Sequence, residues 1–515
     1  MQFLTKENYY VSNSFFAGFS VMVVELVSSR IVAPILGASV FTWTSVIGLT
    51  LLGLAIGGWV GGKIADRAES TRPLPVVFLC SAVFVALIPK FAEYTSFITH
   101  ASDSILVLNL LLSLYLFFIP ACAIGTIQPL LLKRYADTFA SIGTKYGTLS
   151  AAWSVGSMVG VFFTGFFLLS TIGSTETIWL VASILFILGV THTFRDTRLL
   201  LIFFGTLSVV IVLFSITKHT SGISILFEKE TDYYLAKVLD TNLPVLGPSR
   251  ILLLDLDVHS VESTHTNTTV YTDMQSAFSY ITPTIKNILV LGAGAYTLPK
   301  HFSEYYTNAT VTVVETDPEM IHIGTQYFDL QKYPIHTVIT DAKLFMQKDT
   351  ATYDVIFGDT YNSYISVPWY LLTTEWNAAV RTKLNKNGVY AINFIGPLKG
   401  AGSDLTRSIT NTFKQTFPNY YVFSFGKGLS STQNIVLVGI NGDLPLTEKE
   451  LMQKIAQGGN ISLARTLTSR TAIAETPSVI LTDNFSPIER LMSPIIMDYF
   501  PQNLRQIEHI LAKNI

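Results

Sequence analysis

Two glycines and three carboxylates recur at one kind of place in the second half of the chain, just after a short apolar run. Gly292 and Gly294 follow NILVL, Glu315 ends TVTVVE, Asp341 follows HTVIT, and Asp359 follows YDVIFG with Thr360, Tyr361 and Asn362 behind it. Glycine lets the backbone turn tightly and approach a ligand with no Cβ in the way. A carboxylate placed like Glu315 can accept both hydroxyl hydrogens of a ribose, and Asp341 can accept from the amino group of an adenine. The plainer alternatives are an ordinary turn for the Gly-x-Gly and a helix-capping role for Asp359. Four strand ends in order, three of them acidic, favour a ligand site over solvated surface. The glycines stop short of Gly-x-Gly-x-x-Gly and no phosphate-binding cue follows, so the pattern favours a nucleoside over a dinucleotide.

The elements that position these residues follow from the apolar pattern. Strands are expected at Asn287–Leu291, Thr310–Glu315, His336–Ile339, Tyr353–Phe357, Val389–Phe394 and Ile435–Val438. Helices alternate with them, one running through Phe328 and one near Thr374–Leu384. Such alternation implies a mainly parallel, doubly wound α/β sheet of Rossmann-like type, which binds ligands at the carboxyl ends of its strands. Ahead of it, Tyr233–Val238 and Arg250–Leu256 read as strands joined by a turn at Pro244–Pro248, with Val258–Ser260 continuing the sheet. The expected organisation is a helical domain over residues 1–220, a small antiparallel β subdomain over 221–282 and the nucleoside-binding domain over 283–515.

The first domain has a different composition. Charged residues are 14% of the chain, against about 25% in an ordinary soluble protein, and they are scarce before residue 217. Crossing a bilayer takes roughly 20 apolar residues. Phe15–Gly37, Trp43–Gly62, Leu74–Pro89, Ser104–Leu132, Gly147–Thr175, Thr177–Phe194 and Leu199–Thr217 give seven expected spans of a multi-pass cell-membrane protein. The first is too long, and too closely followed by others, for a cleaved signal peptide. Lys63, Arg67 and Arg72, then Lys133, Arg134 and Lys145, then Arg195 and Arg198 mark cytoplasmic segments. Seven spans then put the C-terminal half outside, whereas a cytosolic nucleoside donor puts it in the cytoplasm; the two arguments oppose each other. Glu25 and Arg30 lie inside the first span, and a structural ion pair, or Arg30 reaching for an interface, is favoured over a transport pathway. GGKIADR at 61–67 resembles the Gly-x-x-x-Asp-Arg loop of major-facilitator transporters over a very short stretch. Cys80 and Cys122 are expected as buried thiols, with no metal-ligand spacing and no metal. A net charge of -2 gives no electrostatic reason for a nucleic-acid partner.

Taken together, these residues resemble the membrane-fused spermidine synthase (polyamine aminopropyltransferase) family, from about Thr231 to Gly396. GFSVMVVELVSSRIVAPILG resembles the helical region of its fused members, and LTDNFSPIERL a Thr-Asp-Asp-x-x-Pro ending, placing Asp483 on its first acid. The resemblance implies that Tyr233 falls on the tyrosine of a Tyr-Gln pair, with Tyr234 replacing the glutamine. His259 takes the glutamine's place in the Leu-Asp-Gly-x-x-Gln strand. Tyr271 and Asp273 fall on the Tyr-x-Glu motif near the acceptor, Glu315 on the ribose acid, Asp341 on the adenine-side acid, and Asp359 on the proposed catalytic base. Two departures stand out: LGAGAY lacks the loop acid that holds a substrate amine, and Asn362 replaces the second acid of Asp-x-x-Asp. Nucleoside recognition is thus retained, while recognition of cationic amines is thinned.

What the resemblance implies is an aminopropyltransferase that moves an aminopropyl group from decarboxylated S-adenosylmethionine (or S-adenosylmethionine itself) to a small-molecule amine. Asp359 would act as general base, with Tyr271 and Asp273 orienting the acceptor. Gly292, Gly294, Glu315, Asp341, His259 and Tyr233 would hold the donor, and Tyr361 and Asn362 the substrate. The lipid bilayer is the other expected partner, and a homo-oligomer is compatible with the sequence. Two further readings stand beside it: a methyltransferase, and a transporter or sensor whose soluble half binds a nucleoside or polyamine.

Overall fold

The computed structural model describes residues 6–497 other than 38, 68–72, 96–97, 99–100, 103, 137–140, 193–223, 244–245, 256, 264–271, 283, 361–366, 427, 474–475 and 477. The chain divides into two compact units, Met1–Thr220 with Glu230–Asp232, and Ser221–Lys229 with Tyr233–Ile515.

In the first unit the apolar runs form helices α1 (Lys6–Leu36), α2 (Val40–Arg67), α3 (Pro73–Ala92), α4 (Ile105–Tyr135) and α5 (Ile142–Thr191). Among the described residues these five are long and apolar enough to cross a membrane. The 50-residue α5 breaks at Gly173, whose φ of 81° and ψ of 177° no helix allows. Both its ends return to the start of α1. Near one end Leu149 accepts from Ser14 Oγ (2.7 Å), and at the other Thr191 Oγ1 pairs with Tyr9 OH (2.9 Å). The run is therefore a helical hairpin, matching the two spans expected there. The expected seventh span, Leu199–Thr217, lies outside the described residues.

Glycine sets how closely these helices pack. A Cβ on Gly156 of α5 would stand 1.9 Å from the Phe15 carbonyl oxygen of α1, and one on Gly57 of α2 would stand 2.1 Å from that of Cys122 on α4. GGKIADR occupies the last turns of α2 and is not a loop. The thiols are free, but Cys80 is exposed on the surface of the unit, and Cys122 is partly so. A helix with no polar side to hide can present either face to an apolar surrounding. Glu25 and Arg30 form no ion pair with each other: the Arg30 guanidinium donates to the Asp232 carbonyl.

The second unit opens with a four-stranded sheet, β1 (Ser224–Glu230), β2 (Leu235–Leu243), β3 (Gly247–Leu254) and β4 (Asp257–Ser263), in sequential order. Helix α6 (Gln275–Ile281) leads from it to the larger sheet. That sheet comprises β5 (Asn287–Leu291), β6 (Thr310–Glu315), β7 (Ile335–Ile339), β8 (Tyr353–Gly358), β9 (Leu384–Gly396), β10 (Tyr420–Ser424), β11 (Gln433–Ile440) and β12 (Leu467–Thr468), in the order β12-β10-β11-β9-β8-β5-β6-β7. Strands β5 to β9 are parallel; β11, β10 and β12 are antiparallel to their neighbours. Helices α7 (Thr297–Tyr305), α8 (Glu319–Tyr327), α9 (Ala342–Lys348), α10 (Thr374–Thr382) and α11 (Ser403–Thr416) make the crossovers.

One buried apolar cluster joins the inner faces of the two sheets, from Ala236, Val238 and Leu252 to Val290, Val313 and Phe357. The strand order reverses between β5 and β8, and a doubly wound sheet opens its ligand crevice at such a switch.

Candidate active site

At that switch β5 and β8 pair as Leu291↔Gly358, and the next residue of each is held by a neighbouring strand. The Asp359 N–H donates to the Leu291 carbonyl and the Gly292 N–H to that of Val314, both at 2.8 Å. Gly292 has φ +92°, and a Cβ there would stand 2.2 Å from the Asp359 carbonyl oxygen, so only glycine fits. Around this crossing lies a cleft lined by Tyr233, Tyr234, His259, Gly292, Gly294, Glu315, Asp341, Asp359, Thr360 and Tyr370. Eight of the residues singled out in the sequence thus come together: Tyr233, Tyr234, His259, Gly292, Gly294, Glu315, Asp341 and Asp359.

Glu315 is 7% exposed and held chiefly by backbone, with a longer contact from Thr316 Oγ1 at 3.4 Å. Its Oε2 accepts from the Ala293 N–H at 2.8 Å; its Oε1 accepts from those of Thr316 (2.7 Å) and Asp317 (2.9 Å). Burial pushes this carboxyl above its ordinary range, and the three N–H donors oppose the shift. Burial, reinforced by the Glu315 charge, also keeps the neighbouring Tyr234 hydroxyl protonated well past its usual range.

Asp341 is the N-cap of α9. Its Oδ1 accepts from the Leu344 N–H (3.0 Å), and its Oδ2 accepts from Tyr370 OH (2.9 Å). Burial and the Asp341 charge hold the Tyr370 hydroxyl protonated, so it is the donor. The segment carrying Tyr370 is tied down beside it, because Asp483 accepts from both Thr373 Oγ1 (2.8 Å) and Lys343 Nζ (2.7 Å). Asp359 receives a hydrogen bond from Asn393 Nδ2 at 2.9 Å, from the middle of β9.

Tyr370 and Asn393 were not singled out in the sequence. Asn393 was the more legible of the two, as a lone amide inside the buried run VYAINFIG. Tyr370 sits among apolar residues in VPWYLL and gives no such cue.

Asp273 does not line the cleft. Its carboxyl, raised by burial, has a hydrogen bond from Asn460. Tyr271, Tyr361 and Asn362 lie outside the described residues. In place of the family's loop acid stands Ala295, fully buried, its N–H donating to Ser260 Oγ at 3.1 Å. Tyr296 follows in a left-handed conformation (φ 62°), also buried, with its hydroxyl 3.2 Å from Thr337 Oγ1.

The side chains lining the cleft include three carboxylates and, among the described residues, no lysine or arginine. Such a lining attracts cations and offers no counter-charge to a phosphate or carboxylate.

No protein-family model matches the chain. A probable polyamine aminopropyl transferase of Bifidobacterium longum is 28% identical over 152 residues, 30% of this chain and 33% of that protein. A polyamine aminopropyltransferase of Vibrio vulnificus is 25% identical over 232 residues, 43% of this chain and 75% of that one. The chain thus spans a third of the length of the first relative and three quarters of the second. The crystal structure of a probable spermidine synthase from Corynebacterium glutamicum superposes with a TM-score of 0.40 at 17% identity, covering 49% of this chain and 95% of that one. The chain therefore carries an α/β domain similar in sequence to polyamine aminopropyltransferases.

Proposed function

We propose that the protein is a membrane-integral aminopropyltransferase, which moves the aminopropyl group of decarboxylated S-adenosylmethionine onto an amine. The observation that carries this reading is the charge of the cleft: Glu315, Asp341 and Asp359 line it, with no lysine or arginine among the described residues. The decarboxylated donor brings a sulfonium and an ammonium, and the acceptor brings an ammonium. S-adenosylmethionine also carries a carboxylate, for which this lining has no partner. A dinucleotide's pyrophosphate would fare worse.

In the proposed reaction the acceptor arrives as an ammonium and gives a proton to the Asp359 carboxylate. The freed nitrogen lone pair attacks the aminopropyl carbon bonded to sulfur. As the C–N bond forms, the C–S bond breaks, and its electron pair neutralises the sulfonium to give methylthioadenosine. Asn393, donating to Asp359 Oδ1, keeps the carboxylate turned to this task. A positioned base contributes roughly 100- to 10,000-fold to rate, and alignment of the two substrates supplies much of the rest.

The test uses purified full-length protein with decarboxylated or intact S-adenosylmethionine and candidate diamines. Methylthioadenosine should appear with the decarboxylated donor alone. Asp359→Asn should lower turnover by about 100- to 10,000-fold while sparing nucleoside affinity. S-adenosylhomocysteine from the intact donor would point to methyl transfer, and tight nucleoside binding with neither product to a sensor or transporter. The five long apolar helices support placement in a membrane, and a reporter fused to the C-terminus decides which side the cleft occupies.

A further inference from the structure

Glu25 lies well inside α1, partly buried, and no hydrogen bond or ion pair reaches its carboxylate among the described residues. The cation nearest in sequence, Arg30, donates instead to the Asp232 carbonyl. An unpaired carboxylate at membrane depth is costly. Glu25 must therefore carry a proton or be matched by a cation that the chain itself does not supply.

The packing of α1 on α5 indicates what faces it. A Cβ on Gly156 would meet Phe15, and one on Gly160 would meet Phe19, so the two helices advance together and run parallel. Ser157 Oγ donates to the Gly18 carbonyl at 3.2 Å. Seven residues return a helix to nearly the same face, so the positions one heptad beyond that contact are Glu25 and Thr164. Thr164 is fully buried and its Oγ1 has no hydrogen-bond partner. It also opens a π-helical turn, Thr164–Leu168, within α5. Such turns widen a helix locally and occur often where a ligand is held.

We propose that Glu25 and Thr164 form a cation site inside the helical unit, and that its ligand is the primary ammonium of an alkylamine. Both groups can accept N–H donors, which an ammonium supplies in threes. Apolar side chains on the same two helices (Val21, Val24 and Leu168, all buried) suit an alkyl tail. A metal ion would ask for six or so oxygens, and no metal-holding group of His, Cys, Asp and Glu occurs among the described residues. The site rests on the helices lying in a bilayer, and not on the chemistry of the cleft.

The test is carbodiimide labelling of the full-length protein in nanodiscs, read by mass spectrometry of the Glu25 peptide. A hydrophobic carbodiimide should label Glu25 and a water-soluble one should not. Butylamine should leave Glu25 neither carbodiimide-labelled nor converted to its butylamide, both masses being read, where sodium at equal ionic strength gives no such protection. Thr164→Val should raise the butylamine concentration for half-protection by about tenfold, and Glu25→Gln should remove the label. Nucleoside affinity of the same samples, expected to be unchanged, reports that both variants are folded and tests the cleft separately. Labelling by the water-soluble reagent overturns the site. So does protection that follows pH alone, protection by sodium to the same degree, or a Thr164→Val protein that behaves as wild type.

Discussion

Replacing Glu315 by glutamine tests the proposed nucleoside site most directly. A carboxylate has about four lone-pair sites. Thr316 and Asp317 take both on Oε1, and Ala293 takes one on Oε2. One full acceptor site is left for the ligand, so a single ribose hydroxyl makes the strong bond and the other can only share it. The sequence pattern alone had suggested a bond to each hydroxyl. A hydrogen bond to a charged group contributes about 1.5–3 kcal/mol, or roughly 10- to 150-fold in affinity. Glutamine keeps the Oε1 contacts, but its amide group points a donor at the Ala293 N–H and offers the ribose no acceptor. Glu315→Gln should therefore weaken methylthioadenosine binding, measured by calorimetry, by about that factor. Removing one of the two ribose hydroxyls should cost the wild type the same factor, and should cost the variant almost nothing. Equal losses for the 2′- and 3′-deoxy ligands in the wild type would refute the one-site count. Discrimination that persists in the variant would show that another group reads the ribose. The acidic limb follows from the same geometry. The ionised carboxylate is the stronger acceptor, and burial raises its pKa in the free protein. Affinity should be complete above that raised value and fall as pH drops through it, at higher pH than an ordinary glutamate would give.

Three further outcomes follow from the geometry. Gly292→Ala places a Cβ 2.2 Å from the Asp359 carbonyl oxygen at φ +92°; thermal unfolding should show a loss of about 2 kcal/mol or more, and nucleoside binding should be lost with it. Tyr370→Phe removes the donor that fixes Asp341 Oδ2, so the preference for adenosine over inosine, read by competition binding, should shrink by about tenfold. Gly156→Ala drives a Cβ to 1.9 Å from the Phe15 carbonyl oxygen, whereas a Cβ on Gly62 meets nothing within 4 Å. In detergent, the first variant should lose its monodisperse size-exclusion peak and Gly62→Ala should keep it.

What the sequence made legible, and what it did not, divides by how local the signal is. Strands β5 and β6 fall on the expected bounds because both are short apolar runs with sharp polar ends. Strand β10 was missed although YYVFS carries the aromatic and β-branched residues that favour strand. It adds the antiparallel edge that alternation of strands and helices does not announce. Strand β1 was missed because SILFEKE alternates too weakly to stand apart from the charged stretch it enters. Pro248, expected in a turn, lies within β3, where it pairs with Asn242 at the start of the strand. The cleft was readable where a lining residue sits at a strand end, as for Gly292, Glu315 and Asp359. Partners such as Asn393 and Tyr370 reach these residues from distant parts of the chain, and pairing of that kind leaves no mark in local spacing. Asp273, which a motif match places beside the acceptor, has a hydrogen bond with Asn460.

The missing loop acid bears on the proposed reaction in a way that the geometry makes concrete. With Ala295 buried and Tyr296 filling the space under α8, against Gly324, the glycine loop is a packed structural turn that brings backbone, and no charge, to the ligand. Glu315 is committed to three backbone N–H donors. Asp341 is committed to a helix cap and Tyr370. Asp359 accepts from the neutral amide of Asn393. Under the aminopropyl reading, both the holding of the ammonium and the removal of its proton converge on Asp359. A site built so would bind amines weakly and still activate them. The nucleoside, gripped by backbone, would supply the binding energy that aligns the donor carbon.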